Sequence, residues 1–178
     1  DHASTIDILI NNAGVFKAPN PITEHGLDVR FVVNTIAPYI LTKALLPAIP
    51  KDGRVLNLSS AAQAPIDLAA LQGRARMNDM EAYAQSKLAI TAWTREMALR
   101  HQAGPVFLAI NPGSLLATKM VTEGFGVAGN DLNIGADILC QAALEDSFAA
   151  ATGRYFDNDV GAFAPIHRPA SDPSFLKA

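Results

Sequence analysis

Ile6-Asp7-Ile8-Leu9-Ile10 runs directly into Asn11-Asn12-Ala13-Gly14. The first five residues form a short, β-branched apolar run, the pattern of a buried strand. Small and amide residues straight after such a strand suit a loop where a ligand comes close to the backbone. They also suit an ordinary strand-ending turn. Further along the chain, Arg54-Val55-Leu56-Asn57-Leu58 is a second strand-like run ending in Ser59-Ser60. Pro105 to Ile110 is a third, ending in Asn111-Pro112-Gly113, and Arg154-Tyr155-Phe156 is a short fourth with Asp157-Asn158 as its turn.

Helical patterns separate these runs. One extends from about Leu27 to Ala48, with Phe31, Val32, Thr35, Ile36 and Tyr39 as packing positions. Asn34 sits among those apolar residues, so its amide needs partners and it is either a structural hydrogen-bonder or a site residue. Pro38, four residues later, should bend the helix or disturb a backbone hydrogen bond near Asn34. A second helix runs from Glu81 to His101. A third starts at Asn130 or Asp131 and continues to about Ala150. Ala61 to Met80 is irregular, Thr118 to Gly129 reads as a mobile loop with three glycines, and the proline-rich tail from Gly161 reads as loop.

Strands separated by long helices need crossovers and are therefore parallel. The expected fold is α/β: an open, doubly wound parallel sheet with helices on both faces. Ligands in such sheets bind outside the carboxyl ends of the strands. The ends Asn11 to Gly14, Ser59-Ser60 and Asn111 to Gly113 all fall on that one edge.

The second helix carries Tyr83-Ala84-Gln85-Ser86-Lys87. At a spacing of four, the tyrosine and lysine leave the same helix face. An ammonium beside a phenol favours the phenolate, so the Tyr83 pKa is expected to fall from its ordinary value of about 10. That would tune a phenol for proton transfer near neutral pH. The spacing alone also fits an exposed lysine near a half-buried tyrosine.

The 178 residues fit one domain, and at 49% hydrophobic and 17% charged the composition is globular. The net charge of -3 gives no electrostatic footprint for nucleic acid. Phe31 to Ile49 is the most membrane-like stretch, but Asn34, Thr42, Lys43 and two prolines mark it as a buried amphipathic helix, so no membrane span is expected. The single cysteine, Cys140, is expected to be a buried inert thiol. Its solitary presence suits a reducing compartment, and a cytoplasmic location is expected. His2, His25, His101 and His167 show no metal-binding or triad spacing, so no metal is expected. No Gly-x-Ser-x-Gly elbow supports a hydrolase.

Asn-Asn-Ala-Gly, an Asn in the next helix, Ser-Ser after the next strand, Tyr-x-x-x-Lys, and Asn-Pro-Gly after the third strand stand in that order. From about Ile6 to Phe156 the chain resembles the short-chain dehydrogenase/reductase family. The resemblance implies an NAD(P)-dependent oxidoreductase acting on an alcohol or carbonyl, with NAD or NADP as cofactor. Tyr83 would be the general acid or base. Lys87 would lower its pKa and bind the nicotinamide ribose. Ser60 would hold the substrate oxygen, with Ser59 structural, and Asn34 would support a relay water. Asn11, Ala13 and Gly14 would border the cofactor, Pro112 and Gly113 would face the nicotinamide, and Thr118 would contact its amide or pyrophosphate region. A dimer or tetramer through the two long helices is implied.

The chain departs from the family pattern in four places. No Thr-Gly-x-x-x-Gly-x-Gly turn is present to seat a pyrophosphate on a helix N-terminus. The chain therefore reads as a single partial Rossmann-like domain over 1–178, truncated at its N-terminus, whose strands correspond to the family's fourth to seventh. The gap between Ser60 and Tyr83 is long, as in members that act on bulky apolar substrates. Pro112 to Thr118 is one residue longer than usual, and the end at Ala178 leaves little to close the pocket. The missing half would leave the Ile6–Ile10 strand as an open apolar edge, so the isolated chain is expected to self-associate. A monodisperse monomer in solution would contradict that. The absent glycine-rich turn also admits a second reading, a non-catalytic scaffold on a dehydrogenase-derived fold.

Overall fold

The computed structural model describes residues 5–167. Five strands form one sheet in the order β1-β2-β3-β4-β5. These are β1 (Ile8–Asn11), β2 (Arg54–Leu58), β3 (Val106–Asn111), β4 (Tyr155–Asp157) and β5 (Ala162–Ala164). The first four are parallel, and β5 returns antiparallel to β4. Residues on β2 and β3 alternate between two cores, as the pleat requires. Leu56, Leu108 and Ile110 pack with Ile138, Ala142 and Phe156 on one face. Val55 and Phe107 pack with Ile49, Met97 and Ala98 on the other. Among the described residues no strand covers the outer side of β1, where Ile10 is exposed.

The stretch from Val29 to Ala48 is helical throughout but not uniform. It passes from α1 (Val29–Phe31) through a π-helical turn at Val32–Ile36 into α2 (Ala37–Leu45) and a 3-10 turn at Leu46–Ala48. Pro38 explains the irregularity. It has no N–H to return to the carbonyl of Asn34, and the wider turn absorbs the mismatch. By length and composition this stretch, of mean hydropathy 1.3, could cross a membrane. Here it lays Phe31, Asn34, Thr35 and Thr42 inward, and its polar members are hydrogen-bonded within the domain.

Helix α3 (Leu68–Leu71) is a single turn in the irregular region, and α4 (Asp79–Arg100) is the motif helix. It begins two residues earlier than the apolar pattern suggests because Asn78 and Glu81 form a reciprocal capping box. Burial runs unbroken from Ala84 to Ala92, so α4 is enclosed nearly all round instead of being amphipathic. Its alanines and serine let neighbouring elements approach.

Four expectations are corrected. Thr118 to Gly129 is not a loop throughout: it contains α5 (Lys119–Phe125), capped by Thr118 and ended by Gly126 in the left-handed region. α6 (Leu132–Leu144) stops short of Ala150, because Glu145 turns extended and a 3-10 turn brings Phe148 into the core. The start of the tail is strand, since Phe163 of β5 packs on Phe148 and Phe156 beneath the Arg154 guanidinium. The remainder of that tail, 168–178, lies outside the described residues. Cys140 is exposed, because the buried face of α6 is formed by Gly135, Ile138 and Ala142.

Candidate active site

The carboxyl ends of β1, β2 and β3 open into one cleft of about 780 Å³. Its polar floor includes Asn12, Gly14, Ser60, Tyr83 and Lys87, and its far side is formed by Asn111 to Ser114 and the residues that follow. The topology brings together side chains from opposite ends of the sequence. Ser60 lies just past β2, while Tyr83 and Lys87 occupy successive turns of α4 facing it.

Lys87 is buried, 4% exposed, and donates from Nζ to the carbonyl oxygen of Leu58 at 2.7 Å. Among the described residues its contacts include no carboxylate, and burial lowers its pKa to about 8. Burial raises the pKa of Tyr83, and a hydrogen bond with Ser60 partly offsets this. The expected lowering of Tyr83 by Lys87 is thus not what the geometry gives. The lysine Nζ lies 5.6 Å from the phenol ring centre and gives one hydrogen bond to Leu58, while enclosure under Phe16 dominates. At neutral pH the phenol is protonated.

Ser59 and Ser60 both border the cleft but differ in their surroundings. Ser59 is buried, its hydroxyl bonded to the Lys87 carbonyl and to Thr91 Oγ1. Ser60 reaches the cleft, its hydroxyl accepting from Ala62 N–H. Its carbonyl is held by Gln63 Nε2 at 2.9 Å and Tyr155 Oη at 3.1 Å, a tether the sequence did not reveal. Burial, ahead of the nearby Asp157 and Asp159, pushes the Tyr155 pKa well up, so it stays a neutral donor.

Asn34 is 1% exposed and its amide is engaged on three sides. It accepts from Val15 N–H and donates to the Val15 carbonyl and to Ser86 Oγ. Asn11 also turns inward. Its amide donates to Asn57 Oδ1 and Thr42 Oγ1, and Asn57 passes the chain on to Thr94. Asn12 and Gly14 line the cleft, whereas the side chain of Asn11 is committed to the interior and Ala13 is not among the lining residues. Period-two alternation gives the reason: Asn11 ends β1 facing α2 and α4, so the next residue faces out.

Pro112, Gly113 and Thr118 all border the cleft. Asn111 anchors the loop they belong to, donating to Asp157 and Asp159, while Asp159 receives the N–H and hydroxyl of Ser114. Burial opposes ionisation of Asp159, but the Ser114 and Asn111 hydrogen bonds outweigh it and its pKa falls. In the same loop Leu115 lies in the left-handed region, φ 52°, and Leu116 is bridged to Asn130. Thr118 caps α5, accepting from Val121 N–H.

No group of three or more potential metal ligands occurs among the described residues. The nicotinamide end of a dinucleotide does fit the cleft. A Cβ on Gly14 would stand 3.6 Å from both Lys87 Nζ and Asn34 Oδ1, so the missing side chain keeps the space before the lysine open.

The family profile of the short chain dehydrogenases matches residues 1–125. The chain belongs to the short-chain dehydrogenase family. Among its relatives, retinol dehydrogenase 13 of Homo sapiens is 33% identical over 174 residues, covering 85% of this chain and 52% of that protein. A Mycobacterium paratuberculosis protein of known structure superposes with a TM-score of 0.74 at 27% identity, covering 98% of this chain and 64% of that one. The landomycin C-6 ketoreductase LanV, solved with NADP and rabelomycin, superposes with a TM-score of 0.61 at 27% identity, covering 86% of this chain and 60% of LanV. The chain spans about half the length of the curated relatives it matches.

Proposed function

We propose that this chain forms the proton-transfer half of an NAD(P)-dependent oxidoreductase acting on an alcohol or carbonyl. The observation that carries the proposal is the convergence of Ser60, Tyr83 and Lys87 in one cleft at the carboxyl edge of the sheet. In carbonyl reduction, Ser60 holds the substrate oxygen and Tyr83 Oη gives it the proton. In alcohol oxidation, Tyr83 takes that proton back. When bound, NAD or NADP supplies or accepts the hydride. Asn12, Gly14, Lys87, Pro112, Gly113 and Thr118 are the residues that would hold its nicotinamide end. Lys87 orients the ribose and, with its pKa near 8, passes protons between the site and water. Pro38 offers no N–H to the Asn34 carbonyl, and that carbonyl is our candidate holder of the relay water.

The wall from Leu115 to Leu139 carries four leucines, Met120, Val121 and Phe125, which suits a bulky apolar substrate. We also propose a homo-oligomer, supported by exposed Ile40, Leu41 and Leu99 on the two long helices. A reducing compartment such as the cytoplasm suits the exposed thiol of Cys140. The test is hydride transfer by the full-length protein on a panel of carbonyl compounds. Tyr83→Phe should lower kcat by roughly 10²–10⁴-fold. Activity that survives it would refute Tyr83 as the proton donor, and a full-length protein inactive across the panel would favour the scaffold reading.

A further inference from the structure

With Tyr83 taken as the proton donor proposed above, we infer that Arg30 is a positioning residue for its phenol, acting through Asp79 and the Phe16 carbonyl. Arg30 is 1% exposed. Asp28, the residue that caps α1, neutralises it in a two-pronged pair, taking Nε at 2.8 Å and Nη2 at 2.6 Å. Charge balance is complete at that point. The remaining nitrogen, Nη1, makes two further bonds, one to Asp79 and one to the carbonyl oxygen of Phe16 at 3.3 Å.

Both acceptors flank Tyr83. Asp79 opens α4 four residues before Tyr83, on the same helix face one turn earlier. The Phe16 ring packs edge-on against the Tyr83 ring, with centroids 5.3 Å apart. One turn beyond Arg30, Asn34 grips Val15 and Ser86. The segment Val15–Phe16 and the helix turns around Tyr83 are therefore tied together on both sides of the phenol. Only a guanidinium can hold Asp28 with two nitrogens and still bridge to two further groups; a lysine ammonium lacks that planar fork.

The test uses Asp79→Asn and Arg30→Lys, with Glu81→Gln as control. Asp79 is partly exposed, so its variant should fold. Glu81 lies in the same helix turn and loses the same charge, but its side chain bonds Asn78, a bond glutamine keeps. The readouts are kcat and KM of the full-length protein and the titration of Tyr83 followed by ring ¹³C NMR, assigned with Tyr83→Phe. Ser60 and Lys87 are the polar groups facing the phenol among the described residues, and all three variants keep them. Asp79→Asn and Arg30→Lys should lower kcat by about tenfold to a hundredfold with KM little changed. They should also move the Tyr83 midpoint down toward the ordinary phenol value, because burial is the larger influence on it and loosening admits water. Glu81→Gln should do neither. Equal shifts in Asp79→Asn and Glu81→Gln, or no shift in Asp79→Asn, would overturn the proposal. Should the full-length protein transfer no hydride, the proton-donor reading fails, and the titration still decides whether Arg30 sets the phenol.

Discussion

The two walls of the cleft are built on opposite principles. On one side Ser59 and Lys87 are almost fully buried, at 3% and 4% exposure, and their polar atoms meet hydrogen-bond partners. On the other, Leu115, Phe125 and Leu132 are 46%, 45% and 50% exposed. The first wall holds its atoms at fixed positions before any ligand arrives, which is what proton transfer over a short distance requires. The second offers apolar area still facing water, worth roughly 25 cal/mol for each Å² a substrate covers. Under the proposed function, chemistry and substrate choice would fall to different sides of one cleft.

Substitutions on the two walls should fail in different ways. Ser60→Ala removes the proposed anchor of the substrate oxygen and the hydrogen bond that partly offsets the burial of Tyr83. It should cut kcat by roughly 10²-fold or more and move the alkaline limb of the pH profile upward, read from kcat against pH. An unchanged limb would separate Ser60 from the phenol.

Lys87→Met tests the same wall through stability. The folded pKa of Lys87, about 8, lies below its ordinary 10.5, so the unfolded chain binds the proton more readily. Stability should therefore rise with pH from about 8 to 10.5, by about 3 kcal/mol at about 1.4 kcal/mol per unit. Denaturant melts across that range should show the rise in the wild type and a flatter curve in Lys87→Met. The two curves running parallel would mean that the amine is not desolvated.

The apolar wall should respond more mildly. A Cβ on Gly124 would meet Phe16 Cδ1 at 2.7 Å, so Gly124→Ala pushes apart the Phe16–Phe125 stack at the cleft mouth. Overpacking of this kind costs about 1–3 kcal/mol. KM for apolar substrates should rise, and kcat should fall less than in Ser60→Ala, because the displaced Phe16 ring also packs on Tyr83. A kcat loss equal to that of Ser60→Ala would erase the distinction between the walls.

The polar wall was the more legible of the two in the sequence. Ser60, Tyr83 and Lys87 stand beside strand ends or at helical spacing, and both features are local. The inward turn of the Asn11 side chain was not legible, because strand register, one residue either way, decides whether an amide faces the cleft or the core. Helix α5 was missed because Thr118, its cap, and Gly126, its terminator, flank a weakly apolar segment whose seat is Phe16, far away in the chain. Strand β5 escaped for the same reason: three residues carry little periodicity, and Phe163 is placed by Phe148, Phe156 and Arg154.

By itself the sequence determined the alternation of buried strands and helices, and with it the parallel sheet and the edge where its polar loops gather. Those features follow from periodicity, which each segment carries alone. Tertiary structure alone decided the direction of the Tyr83 pKa shift, the tether of Tyr155 to the Ser60 carbonyl, and the reach of Arg30 to both sides of the phenol. Each depends on desolvation or on groups distant in sequence, and no local pattern records how far a side chain ends up from water.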